Sequence, residues 1–264
     1  MINYLIDTHA HINFRLGADG EINNSDNEIR ELLKDMELNG VKKVIIPSVD
    51  TKTMERVVEI SEKFENVYSM TGIFPTEAKT YNKEIGDKII TLSESKKVVA
   101  IGEVGLDYYW DKENAEIQKE VFVKQIKIAN ELNLPLVIHD REAHKDCFDL
   151  LKEHNIGSKV LFHCFSGSPE FMKECVREGW YIAIGGVVTF KNAVKMKEVA
   201  KEIPLEKLVL ETDSPYLTPV PFRGKPNKPS YVKYVAEEIA KIRGVNTEEI
   251  TIATTQNAEE FFGL

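Results

Sequence analysis

The chain has little of what marks several large protein classes. No run of 18 apolar residues occurs in its 264 residues, which excludes a membrane-spanning helix. The first residues, Met-Ile-Asn-Tyr-Leu-Ile-Asp-Thr-His, offer no basic start, apolar run or small-residue cleavage site. No signal peptide is expected, and the expected location is the cytoplasm. Cysteine is sparse: Cys147, Cys164 and Cys175 are too few and too scattered for a disulfide framework or a paired-cysteine metal site, and they read as reduced thiols. Basic charge is in deficit. With 34 Lys and Arg against 43 Asp and Glu the net charge is −9, which argues against a broad basic face gripping duplex DNA by counterion release. A local cationic site is compatible with that balance. Also absent is a glycine-rich phosphate turn after the first apolar run, where Asp7, Thr8, His9, Ala10 and His11 stand instead.

What is present is a monotonous alternation. Short β-branched apolar runs at 4–8, 43–49, 67–73, 98–106, 134–139, 159–165, 180–186 and 207–212 read as buried strands. Longer amphipathic, charge-rich stretches between them, such as 28–39, 51–64, 115–133, 141–154, 169–178 and 192–203, read as helices. Two more follow the last strand, at 230–243 and 247–262. Only 13–26 and the proline-rich 214–229 lack clear periodicity. No linker divides the chain, so one domain over 1–264 is expected. Strands alternating with helices predict a parallel sheet covered by helices, and at this length eight repeats fit a closed (β/α)8 barrel. A doubly wound open sheet is the alternative.

Four of the six histidines fall at the carboxyl ends of predicted strands: His9 and His11 on the first, His139 on the fifth, His163 on the sixth. In a barrel that face gathers the reactive groups. The i, i+2 spacing of His9 and His11 puts both imidazoles on one side of an extended strand. His144 and His154 read as surface residues of a helix. Two carboxylates share the strand-end position. Glu103 lies between Gly102 and Gly105, where small residues permit close approach of backbone or ligand. Buried among apolar neighbours, it must be paired or bind a cation. Asp213 ends the eighth strand, and its simpler role would be to cap the turn at Ser214 and Pro215. Imidazoles with carboxylates are the ligand set of divalent transition metals. Six such groups exceed one tetrahedral ion, which points to two ions sharing a carboxylate.

The motifs that carry these residues are Asp7-Thr8-His9-Ala10-His11, Gly102-Glu103-Val104-Gly105-Leu106-Asp107-Tyr108-Tyr109 and Ile138-His139-Asp140-Arg141. They continue with His163-Cys164-Phe165-Ser166-Gly167, Glu211-Thr212-Asp213-Ser214-Pro215-Tyr216-Leu217 and Arg223-Gly224-Lys225-Pro226-Asn227. In this order the chain resembles, end to end, the TatD family of metal-dependent deoxyribonucleases within the amidohydrolase-like hydrolases. The resemblance implies a (β/α)8 barrel that uses two divalent cations to hydrolyse phosphodiester bonds in DNA. By position, His9 and His11 would bind the first cation with Glu103 and Asp213, and Glu103 would bridge to a second held by His139 and His163. Two positions depart from the family pattern. Asn13 stands where an Asp is common two residues after the paired histidines, and Phe74 where a His commonly precedes Pro75. The segment 13–26 also looks longer than is usual in the family.

On this reading a hydroxide bridging the cations attacks phosphorus, Asp213 handles its proton, and Arg141, Arg223 and Lys225 are candidates to bind flanking phosphates. Two divalent cations would leave the ligand set locally near +2 despite the acidic exterior. That exterior disfavours long duplex and favours strand ends or single strands, with the protein expected to be a monomer. Tyr108, Tyr109 and Trp110 would either pack as a lid on the rim or stack on a base. The rival enzyme is an amide or ester hydrolase using the same two cations on a cyclic amide or an aminoacyl-tRNA ester. A non-catalytic metal- or nucleic-acid-binding module is the third reading, and the full ligand set argues against it.

Overall fold

A computed structural model describes residues 4–17 and 20–264. The expected runs form strands β1 (Leu5–Asp7), β4 (Val41–Pro47), β5 (Val67–Thr71), β6 (Val98–Asp107), β7 (Leu136–Arg141), β8 (Val160–Phe162), β9 (Tyr181–Ile184) and β10 (Leu208–Leu210). Every pair along the order β1-β4-β5-β6-β7-β8-β9-β10 is parallel. The ends of that sheet meet. Thr8 N–H donates to the Leu210 carbonyl at 3.1 Å, Asp213 N–H to His9 at 2.9 Å and His11 N–H to Ser214 at 2.7 Å. The open-sheet alternative is thereby excluded, and the fold is a (β/α)8 barrel. The seam is stapled by the fully buried Asp7 carboxylate, which takes the Thr212 N–H at 2.9 Å and the Thr212 hydroxyl at 2.5 Å.

Helices α1 (Asp26–Leu38), α2 (Thr51–Lys63), α3 (Lys83–Leu92), α4 (Ala115–Leu132), α5 (His144–His154), α6 (Pro169–Arg177), α7 (Val194–Glu202), α8 (Val232–Arg243) and α9 (Thr247–Phe262) complete the element order. Their starts follow local chemistry. Ser25 and Glu28 form a reciprocal capping box at α1, and Asp50 accepts the N–H groups of Lys52 and Thr53 at α2.

Strand alternation divides the apolar residues into two sets. Residues such as Val44, Ile101, Ile138 and Ile182 pack outward beneath the helices. Ile6, Ile45, Met70, Ala100, Val137, Leu161, Ala183 and Val209, one from each strand, form a second cluster with Phe261 and Phe262 of α9. The last helix therefore packs against the barrel's interior residues at the end away from the site.

Two segments differ from expectation. Within 13–26 the chain forms an antiparallel hairpin, β2 (Phe14–Gly17) with β3 (Gly20–Asn23). Among its described residues only Phe14 is buried, so the alternation that marks a core strand is missing. Strand β7 extends through Arg141, and α5 begins at His144 rather than at 141.

Candidate metal centre

Strands β6 and β7 and the segments leaving β1, β8 and β10 converge on a cavity of about 1530 Å3 whose lining includes His11, Glu103, His139, His163 and Asp213. Glu103 lies at its centre. One carboxylate oxygen lies 2.8 Å from His139 Nδ1 and 2.7 Å from His163 Nε2, and the other 3.3 Å from His9 Nε2. Asp213 Oδ1 lies 3.6 Å from His11 Nε2 and 3.9 Å from His9 Nε2. The His9 and His163 rings stack with centroids 3.9 Å apart. The structure thus brings together all six residues that the sequence singled out as ligands.

Local structure explains the convergence. His9, Ala10 and His11 form the barrel seam, with Ala10 N–H also bonded to the Ile45 carbonyl of β4 at 3.1 Å. His163 is set by its N–H on the Ile138 carbonyl at 3.1 Å. The glycines beside Glu103 serve the sheet. Gly105 has φ +139°, and a Cβ there would stand 2.1 Å from the His139 carbonyl oxygen; one at Gly102 would press on Met70 and Val137. Close strand packing is what these glycines permit.

Charge follows geometry. Burial pushes the Glu103 carboxyl up, but His163, His9 and His139 outweigh it and hold it well below the usual range. Burial also opposes ionisation of Asp213, which His11 and His9 hold below its ordinary value. Burial, with His163 adding to it, keeps the His9 imidazole below its ordinary value and so neutral.

The donor set fits divalent cations. Three groups offer atoms within 4.8 Å of one another: His9, His11 and Glu103; Glu103, His139 and His163; and His9, His163 and Glu211. Buried His9 Nδ1 and Nε2, His11 Nδ1, His163 Nδ1 and Glu211 Oε2 have no hydrogen-bond partner. Orphaned buried nitrogens are costly, and a cation would satisfy those that face Glu103. Glu103 is common to two of the three groups.

Other functional positions were not legible. Asp107 places Oδ2 3.0 Å from His139 Nε2, while Oδ1 accepts the N–H groups of Tyr109 and Trp110. That is the carboxylate–histidine arrangement that orients an imidazole toward a metal. Glu211, fully buried, accepts the Cys164 N–H at 2.6 Å and lies 3.6 Å from His163 Nδ1. Both residues are carboxylates inside buried apolar strand ends, and that oddity was the available signal. Asp213 does not cap its turn, because the Tyr216 N–H bonds to its backbone carbonyl instead.

His144 is half-exposed at the start of α5, where it faces the cavity mouth. Its Nδ1 lies 2.6 Å from Asp140 Oδ2, its ring stacks on Phe171, and it lines the cavity. His154 is partly buried at the end of α5, away from that lining. Phe74 lines the cavity too, its ring edge-on to His139 with centroids 4.5 Å apart. Of the three phosphate candidates, Arg141 lines the cavity, whereas Arg223 lies over the Phe190 ring and Lys225 beside Phe222, both outside the lining. Lys195, unmarked in the sequence, lines it.

The profile of a family described as "TatD related DNase" matches residues 6–263. A Bacillus subtilis protein described as uncharacterized metal-dependent hydrolase YabD is 45% identical over 261 residues, covering 98% of each chain. The 3'-5' ssDNA/RNA exonuclease TatD of Citrobacter rodentium is 32% identical over 232 residues, covering 85% of this chain and 88% of its own. The crystal structure of YJJV, a TatD homologue from Escherichia coli K12, superposes over 100% of both chains with a TM-score of 0.91 and 29% identity.

Proposed function

This chain belongs to the TatD family of metal-dependent hydrolases, and on that premise we propose that it cleaves phosphodiester bonds of DNA from strand ends or single strands. The observation that carries the reading is the ring of His9, His11, His139, His163 and Asp213 around Glu103, in a cavity whose cationic lining residues among those described are Arg141 and Lys195. The name of the Citrobacter relative supports a nucleic-acid substrate worked from its end.

On this reading His9, His11 and Asp213 would hold one cation and His139 and His163 a second, with Glu103 available to either. Cations in those positions supply Lewis acidity toward a phosphate oxygen and acidify bound water. The residues of the chain do the rest. Asp213, held ionised, accepts the proton of the attacking water as that water's oxygen bonds to phosphorus; the P–O bond to the leaving sugar oxygen breaks, and that oxygen takes up a proton from solvent as a hydroxyl. Arg141 and Lys195 pair with phosphate oxygens at the mouth. Phe74, packed against His139, keeps water from that side of the imidazole.

The test is digestion of end-labelled single- and double-stranded DNA by chelator-stripped protein with metals added back, run beside an aryl ester and a cyclic amide. Stepwise shortening of the single strand, lost with chelator and in Glu103→Ala, is expected. Turnover of the ester or amide with the DNA left intact would overturn the proposal.

A further inference from the structure

Beyond the metal centre, the cavity rim carries an aromatic group that the core does not use. Trp110 and Tyr109 are 68% and 52% exposed, among the largest apolar side chains left in water. Their backbone is fixed nonetheless, because both N–H groups bond to Asp107 Oδ1, at 2.8 and 2.9 Å. Gln118 holds the turn from below, accepting the Asp107 N–H at 2.8 Å and donating to the carbonyls of Asp107 and Asp111. Tyr108 points away, its hydroxyl donating to Asp146 at 2.6 Å. Only Tyr108 behaves as part of a packed rim.

Arg141 completes the group. It pairs with Asp107 across β6 and β7, and its guanidinium lies 4.2 Å from the Tyr109 ring centroid and 5.6 Å from that of Trp110. The two rings are nearly perpendicular, 88° apart. Trp110 and Arg141 both line the cavity. An exposed indole costs solvation unless something covers it, and a planar base beside a phosphate-pairing guanidinium covers it well. Asp107 also contacts His139, so the aromatic step is held in register with the metal centre by one carboxylate.

We propose that Trp110, Tyr109 and Arg141 form a subsite for one unpaired nucleobase, stacked on the Trp110 face, of the strand whose phosphate lies at Glu103. The inference rests on the phosphodiesterase reading for its orientation, while its occupant is set by the aromatic step itself. A base inside a duplex cannot present its face to Trp110, so the subsite selects single strands.

Two measurements test it on the metal-loaded protein. Trp180, the other tryptophan, is buried, so quenching of emission by a short oligothymidine reports on Trp110. Quenching is expected with oligothymidine and not with an abasic oligonucleotide of equal length and charge, and it vanishes in Trp110→Phe. In hydrolysis, wild type should favour the oligothymidine over the abasic strand by about tenfold in kcat/KM, the size of one base–aromatic stack. Trp110→Ala should erase that preference and Trp110→Phe keep part of it. Equal quenching by both strands, or a preference that survives Trp110→Ala, overturns the subsite. Quenching without any hydrolysis keeps the subsite and fails the phosphodiesterase reading; hydrolysis indifferent to the base does the reverse.

Discussion

Asp213 has φ +54°, in the left-handed region that few residues besides glycine, Asn and Asp occupy readily. The conformation aims its carboxylate at His9 and His11 while its N–H closes the seam. Asn tolerates the same backbone, so Asp213→Asn should fold and melt close to wild type. Its amide cannot take a proton, and kcat should fall by about 10²–10⁴-fold with strand affinity within a few-fold. A stable, metal-loaded Asp213→Asn enzyme at full kcat would remove Asp213 from the chemistry. Asp107 makes a different kind of case. It touches no cation position directly but holds His139 Nε2 and the Tyr109–Trp110 turn. Asp107→Asn keeps an oxygen for the turn and loses the acceptor facing the imidazole. Metal affinity should drop about 10–100-fold, the usual cost of losing such a partner, and titration of stripped protein reads it. Unchanged affinity would mean that packing alone orients His139. The histidines were legible because polar residues at apolar strand ends stand out. Asp107 and Glu211 sat in the same motifs, but their partners come from β7 and from the residue that follows β8, 32 and 48 residues away in sequence from their own positions, and no local pattern encodes such contacts.

At the scale of elements, the eight strands and most helices were legible from periodicity because each buried run must pair and each amphipathic stretch must cover it. What escaped was decided by few residues. The hairpin β2–β3 buries little beyond Phe14, and the start of α5 depends on the two residues by which β7 outruns its apolar run. That extension carries Arg141 to the rim and leaves the half-exposed His144 beside the cavity. Strand β6 depends on close contact with β7, and Gly105 is where the contact is tightest. Gly105→Ala combines a strained φ with overlap on the His139 carbonyl, and about 2–4 kcal/mol of destabilisation is expected. Thermal melting checks it. A melting temperature within a degree of wild type would show that β6 and β7 can separate without cost, contrary to the register seen here.

For the whole molecule the question is how an acidic protein would hold the polyanion that the proposed function requires. The net charge is −9, and the cavity lining itself includes Glu21, Asp50, Glu77, Asp111 and Glu142. Against these stand Arg141 and Lys195, with Arg223 and Lys225 outside the lining. On the proposed function, attraction of a strand would therefore rest on the cation site and about two side chains rather than on a charged face. Counterion release then predicts a shallow salt dependence. With about two phosphates neutralised on a single strand, the slope of log affinity against log salt is about −1.4, or roughly a sevenfold loss between 50 and 200 mM. The rim carboxylates add repulsion that salt screens, which flattens the slope further. A broad basic interface with six or more phosphate contacts would instead give about −4 or steeper. Measuring oligothymidine affinity across that range, with metal concentration held fixed, decides between them. A steep slope would mean that the strand follows a path of cations outside the cavity, and the proposed base subsite at Trp110 would then lie off that path.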